Sequence, residues 1–330
     1  MKKALFFWGF LVMSLLLFCS CNGVTPGPEE PLDSHLNPDS EYLIVFGDIQ
    51  EYTADPDLCR YYRLSVEWIQ AQLNAGARFV DILESGDVTW GNFESQWDLF
   101  RKATETIAAK IPYFVCIGNH DYDWDSESKI RERSSTRINA YCHFPLSDAK
   151  ILAYYSGTGL ENYVAQLSDA RRTRLLVLEL GTRPEVLEWA RQYVNGHPDD
   201  RFILMTHEWL SEYGQRISTG SYAEMHFAGY STYCTPEEIW NKLVKPNDNI
   251  VCVLCGHNGF AGKLFSVNDA GREVPQVLFN LQYQDNGGNG YVQLWEFPSR
   301  SDSVKIVAYD TINRDWVMPD STAVTFRFNY

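Results

Sequence analysis

The sequence predicts an α/β fold with a largely parallel, buried central sheet, and three observations carry that expectation. Six short runs, "YLIVFG", "FVDILESG", "YFVCIG", "RLLVLELG", "RFILMT" and "IVCVLCG", are close to continuously apolar, as strands covered on both faces are. Segments with helical spacing lie between several of them: "RYYRLSVEWIQAQLNAG", "FESQWDLFRKATETIAAK", "RPEVLEWARQYVNGH" and "TPEEIWNKLVKPN". The two kinds of segment alternate along the chain, the order of parallel strands joined by crossover helices.

Taken in chain order, the first element stands outside that fold. The N-terminal "MKKALFFWGFLVMSLLLFCSCNG" has Lys2 and Lys3 ahead of an apolar run too short for a comfortable membrane span, so residues 1–20 read as a signal peptide. Leu17 and Ser20 ahead of Cys21 resemble a lipobox, which would make Cys21 the lipidated first residue of an exported, membrane-anchored protein. Residues 21–40, rich in Pro, Asp, Glu and Ser without apolar periodicity, read as a disordered tether. Residues 41–330 then form one domain, and a 45% hydrophobic, 14% aromatic chain can supply its core.

The strands and helices follow in the order quoted, the last two helices opening with Pro184 and Pro236 near their first turns, where proline is tolerated. From about Lys263 the character changes. "KLFSVND", "PQVLFNLQYQ", "GYVQLWEF", "SVKIVAYD" and "AVTFRFNY" are punctuated by Gly, Asp, Asn and Ser and have no helical period. They read as strands that form a second sheet or extend the first.

The formal net charge of −15, which loss of Lys2 and Lys3 would carry to −17, repels a nucleic-acid backbone, so no nucleic-acid partner is expected. Of the eight cysteines, Cys116, Cys252 and Cys255 lie within apolar runs and read as buried thiols. Cys252 and Cys255 are three apart on one strand and so point to opposite faces, unsuited to a redox pair or a shared metal.

In open α/β sheets ligands bind where the strands end. Five of the six runs end in polar donors: Asp48 and Gln50; Asp87; Asn119, His120 and Asp121; His207; His257. One such ending would be a turn or a cap. Five on one rim, mixing carboxylates, amides and imidazoles, are the donor set of a divalent-metal centre.

In order, "GDIQ", "GDVTWG", "GNHD", "THE" and "GHNG" resemble the five blocks of the calcineurin-like metallophosphoesterases, over about Tyr42 to Asp310. The resemblance implies a four-layer αββα sandwich, mixed sheets with helices outside, holding two divalent ions (Mn, Fe, Zn or Mg) that activate water against a phosphate mono- or diester. It makes Asp87 the bridging carboxylate. Asn119, His207 and His257 join it around one ion, and Asp48 and Gln50 around the other. His120 becomes the general acid, with Asp121 orienting its imidazole.

Two departures fall on the second ion, since most relatives carry histidine where Gln50 and Gly259 stand. Gln284, Gln282, Asn258 or water could fill the gap, Gln284 being favoured. More oxygen donors shift preference toward Mn²⁺ or Mg²⁺ and leave that site easily emptied. Trp90, Tyr122, Trp124 and Trp209 near the ligands could stack on a substrate or belong to the core; Arg183 and Lys263 read as surface cations. The partner expected is a small or surface-linked phosphate ester outside the inner membrane. The competing reading is a mononuclear or catalytically weakened protein that binds a phosphorylated or glycan ligand.

Overall fold

A computed structural model of the chain describes residues 30–168, 171–227, 233–318 and 322–328. The expected signal peptide, Cys19, Cys21 and the start of the expected tether lie outside the described residues.

Strands β1 (Ser40–Phe46), β2 (Arg78–Glu84) and β3 (Tyr113–Val115) come first, followed by the short pair β4 (Trp124–Asp125) and β5 (Ile130–Arg131). Next are β6 (Ile151–Tyr154), β7 (Tyr163–Ser168), β8 (Thr173–Leu178), β9 (Arg201–Thr206) and β10 (Ile250–Cys255). The C-terminal part adds β11 (Phe260–Val267), β12 (Glu273–Asn280), β13 (Tyr291–Pro298), β14 (Ser303–Asp310), β15 (Asp315–Val317) and β16 (Val324–Arg327).

The six predicted strands all form, in the two mixed sheets that the resemblance implies and not in the one central sheet that their alternation with helices suggests. The first sheet runs β15-β14-β13-β1-β2-β3, with β16 also on β14, and the second runs β11-β12-β10-β9-β8-β7-β6. β1, β2 and β3 are parallel, as are β8, β9, β10 and β12, while the flanking strands are antiparallel. The C-terminal strands do both things expected of them, β11 and β12 extending the second sheet and β13 to β16 the first.

Strand alternation shows how the sheets are stacked. Leu175, Val177, Ile203 and Met205 join one core with Ile44, Val45, Ile82 and Leu83 of the first sheet. Their neighbours Leu176, Leu178, Phe202 and Leu204 join a second core with Leu187, Ala190 and Val194, which lie on one face of the helix Pro184–Gly196. On the far side, helix Cys59–Asn74 buries Tyr62, Val66 and Ile69 and helix Glu94–Ala108 buries Trp97, Phe100, Ala103 and Ile107, each at three- to four-residue spacing. Helices, sheet, sheet and helices form four layers. Cys252 faces the inter-sheet core and Cys255 the helix side, and the six described cysteines are all free and buried.

Two local expectations are modified. The segment after Pro236 makes only a short α-helix, Pro236–Ile239, continued by the π-turn Trp240–Val244. Within the predicted tether, the described residues are docked from Asp33 onward. Asp33 is buried and accepts bonds from Trp68 Nε1 at 3.2 Å and Tyr309 Oη at 2.5 Å, while Leu36 is in the core. A buried carboxylate and a core leucine, with the Asn37 N–H on Tyr42 Oη at 2.7 Å, hold a segment whose composition has no periodic signal.

Candidate metal centre

The polar strand ends gather at the seam between the sheets, and five of the predicted ligands divide by sheet. β1, β2 and β3 lead to Asp48, Asp87 and Asn119, the oxygen donors; β9 and β10 lead to His207 and His257, the imidazoles. Glycines before the ligands let the loops close on one another. A Cβ on Gly118 would lie 2.2 Å from the Asp87 backbone nitrogen and its Oδ1, and one on Gly256 would lie 2.3 Å from Asp48 Oδ1. Both approaches are possible only without a side chain.

Ligand atoms of Asp87, His207 and His257 all lie within 4.8 Å of one another, the one His/Cys/Asp/Glu group of this kind found among the described residues. His207 is fully buried. Its Nδ1 donates to the Ser85 carbonyl at 2.9 Å, which leaves Nε2 facing Asn119 Oδ1 at 3.2 Å and Asp87 Oδ2 at 3.1 Å. Asn119, 2% exposed, thus completes a four-residue pocket.

The electrostatics call for a cation. Burial would depress the His207 pKa, yet the Asp87 and Asp48 carboxylates outweigh it and hold it up at about 10. Asp87, despite burial, is held below the usual carboxylate range by His207 and His120. His257 is pressed down to about 3 by burial and then by His207's charge, so it is neutral and keeps a lone pair. A proton on His207 therefore supplies the positive charge that a divalent ion would replace. Two imidazoles, a carboxylate and an amide oxygen fit such an ion.

The second half of the rim is built differently. Both Asp48 oxygens receive the His257 N–H at 3.1 Å, and Oδ2 also accepts from Asn280 Nδ2 at 2.7 Å and Gln282 Nε2 at 3.2 Å. Burial, then Asp87's charge working against His207, pushes Asp48 well above the ordinary carboxylate value. Gln50 and Gln282 are buried, and the Oε1 of each has no hydrogen-bond partner. Buried amide oxygens are rarely left this way, and these two fit a hard cation beside Asp48. The structure places Gln282, not the favoured Gln284, against Asp48. Gln284 is half-buried one turn later, and Asn258 turns its amide to the Leu210 carbonyl at 2.7 Å. A Cβ on Gly259 would strike the Tyr283 ring at 2.6 Å, so that ring fills the space a side chain there would need.

His120 sits beside this centre, its backbone N–H on Asp87 Oδ1 at 2.7 Å. Asp121 does not orient its imidazole. The Asp121 carboxylate turns inward to accept from Gly118 N and Thr89 N, each at 2.9 Å, and burial with Asp87's charge raises its pKa to about 6. His120 Nδ1 instead lies 2.6 Å from the Trp90 carbonyl, with its ring stacked on the Trp90 indole at 4.8 Å. That contact occupies Nδ1 and leaves Nε2 as the nitrogen for chemistry.

Of the four aromatics, Tyr122 and Trp209 belong to the core, while Trp90 and Trp124 are 47% and 37% exposed on the rim. Arg183 pairs with Glu179, and Lys263 donates to the Ala323 carbonyl. Arg131, which had no signal in the sequence, approaches the site through Tyr222, whose ring centroid lies 5.2 Å from that of His257. It donates to Tyr222 Oη and the Tyr122 carbonyl, each at 3.0 Å, and its charge is felt at His257.

A family model described as "Calcineurin-like phosphoesterase" matches residues 42–259, which takes in all five blocks. The chain is 30% identical over 290 residues to "Uncharacterized protein YvnB" of Bacillus subtilis (strain 168), covering 83% of this chain and 20% of that protein. It is 37% identical over 89 residues to "Probable inactive purple acid phosphatase 9" of Arabidopsis thaliana, covering 25% of this chain and 14% of the other. The chain thus spans a fifth or less of the length of these two relatives. Among solved structures, NAD nucleotidase (NadN) of Haemophilus influenzae superposes with a TM-score of 0.41 at 10% identity, over 87% of this chain and 49% of that one.

Proposed function

This chain belongs to the calcineurin-like phosphoesterase family, and on that footing we propose that it hydrolyses a phosphate mono- or diester at a two-metal centre, outside the inner membrane, tethered by lipid on Cys21. The observation that carries the reading is the closed group of Asp87, His207 and His257, with Asn119 against it. Asp87, Asn119, His207 and His257 would hold one ion; Asp87, Asp48, Gln50 and Gln282 would hold the other.

Bound divalent ions supply Lewis-acid charge for phosphoryl oxygens and make water acidic enough to attack at neutral pH. The chain's own residues do the rest. His120 Nδ1 is held on the Trp90 carbonyl, which leaves Nε2 to deliver a proton to the departing ester oxygen. Asp121 holds the turn that carries His120 by bracing Gly118 and Thr89. Arg131 sets a positive charge on the His257 side of the rim, suited to an anionic ester. Trp90 and Trp124 offer exposed faces to whatever the phosphate carries.

A second reading has one tight ion and one that comes and goes. Asp48 favours it, because its carboxylate lies outside the closed group and is already engaged by three hydrogen-bond donors. Elemental analysis after equilibration with Mn²⁺ and removal of free ion decides between them. Two ions per chain, with turnover of an aryl phosphate, sustain the dinuclear reading. One ion with turnover supports the labile second site, and no ion would leave a binding protein.

A further inference from the structure

Arg131 is the one arginine buried among the described residues, 6% exposed. It stands on β5 opposite Trp124 of β4, in a two-stranded hairpin that belongs to neither large sheet. Its Nε donates to Tyr222 Oη and its Nη1 to the Tyr122 carbonyl. The guanidinium carbon lies 5.0 Å from the Trp124 ring centroid and 5.7 Å from that of Tyr222. Its partners among the described residues are thus a phenol, a carbonyl and two rings, with no carboxylate.

A charge buried in this way lacks its usual compensation. Guanidinium groups taken out of water are paired with anions, because neutral dipoles do not offset the lost hydration, and aromatic faces replace only part of it. Elsewhere in this chain the rule holds: Arg174 and Arg216, both well covered, meet Asp200 at 3.1 Å and Glu237 at 2.6 Å. The buried Glu208 is directed at other groups, accepting the Tyr222 N–H at 2.7 Å and lying 4.0 Å from His257 Nε2.

The guanidinium is held beside the ligand group. Tyr122, which takes Nη1, follows directly on the turn Asn119–Asp121, and the Tyr222 ring that takes Nε lies 5.2 Å from the His257 ring. Nη2 has no hydrogen-bond partner among the described residues and is not sealed from solvent. One planar donor therefore remains for an anion that comes from outside the chain.

The number of charges on a phosphate ester decides which kind suits this place. A monoester carries about −1.5 to −2 at pH 7 and three unesterified oxygens, whereas a diester carries about −1 and has two. We propose that Arg131 is a specificity-determining residue that selects phosphate monoesters over diesters, its Nη2 binding the oxygen that a diester would carry as a second ester link. This selectivity rests on the hydrolytic reading of the same site, and binding of unreactive anions separates the two.

The test is calorimetric titration of the protein, in Mn²⁺, with inorganic phosphate and with dimethyl phosphate. The wild type should bind phosphate about 30-fold more tightly or better, and Arg131→Met should cut that ratio by about tenfold or more with Mn²⁺ content unchanged. Arg131→Lys keeps a cation but loses the fork that spans Tyr222, Tyr122 and the anion, so its ratio should lie between the two; it carries the comparison if Arg131→Met does not fold. In turnover, the wild type should favour p-nitrophenyl phosphate over bis(p-nitrophenyl) phosphate in kcat/KM. Equal binding of the two anions by the wild type, a ratio unchanged in the variants, or a wild type that favours the diester would each overturn the selectivity. Absence of turnover with an intact, Arg131-dependent binding ratio would strike the hydrolytic reading and sustain Arg131 as the group that selects the dianion.

Discussion

The two halves of the rim use the same device to different ends. In each, a glycine lets a loop approach until only backbone fits: Gly118 against Asp87, Gly256 against Asp48. On the Asp87 side, the approach leaves donor atoms facing one another, with His207 Nε2 between Asp87 and Asn119. On the Asp48 side, the carboxylate is wrapped by His257 N–H, Asn280 and Gln282, and two amide oxygens stay unpartnered nearby. The first half is charged and closed; the second is richer in oxygen and depends on side-chain amides. Close approach of loops therefore makes a pocket, but the donors decide how tightly it holds an ion.

The comparison is broken most severely by His207→Ala. Removing Nε2 deletes the group that both Asp87 and Asn119 face, so phosphatase activity should fall on the order of 10⁴-fold, to background. Metal content measured on the same sample should fall with it. Residual turnover within tenfold of wild type would mean that the closed half is not where the chemistry occurs.

His120→Ala tests the acid without touching either half. Turnover of an alkyl phosphate should drop about 100- to 1,000-fold, and that of an ester with a good leaving group far less, because only the poor leaving group needs the proton. Metal content should stay unchanged. An equal loss on both esters would remove His120 from that role.

How far the site could be read in advance follows from where each part gets its geometry. Asp48, Asp87, Asn119, His207 and His257 were legible because each follows a buried apolar run and four of them directly follow glycine, a local pattern. The division into two sheets was legible only through the resemblance carried by the five blocks and not from local pattern, since β1 pairs with β13 more than two hundred residues away, and no local period encodes a partner. The orienting group for His120 was missed for a similar reason. A backbone carbonyl, that of Trp90, has no side-chain signature, whereas the neighbouring Asp121 looked like the obvious partner but is needed to brace its own turn. Gln282 and Gln284 are alike in sequence context, and only the end of β12 sets which one meets Asp48.

Gln50→Ala and Gln282→Ala sharpen the comparison on its weaker side. Each should reduce affinity for the second ion about 10- to 100-fold, read as a higher Mn²⁺ concentration at half-maximal activity, with turnover at saturating Mn²⁺ close to wild type. Gln284→Ala should change neither quantity. If Gln284→Ala shifts the Mn²⁺ requirement and Gln282→Ala does not, the assignment of the second half is reversed.

The smallest effect is a gain. Gly259→His would add an imidazole to the oxygen-rich half, but its Cβ would meet the Tyr283 ring at 2.6 Å. That ring is 66% exposed and free to yield only by giving up its place over Gly259. Gly259→His alone should therefore change little, or lower Tm. Gly259→His combined with Tyr283→Ala should tighten the second site for Zn²⁺ by roughly tenfold, because nitrogen replaces oxygen or water in the donor set. The contrast between single and double variants is the informative quantity, measured as Zn²⁺ retained against a competing chelator. If the single variant gains as much as the double, Tyr283 is not what keeps the second half short of an imidazole, and that shortage rests on the glycine at position 259 alone.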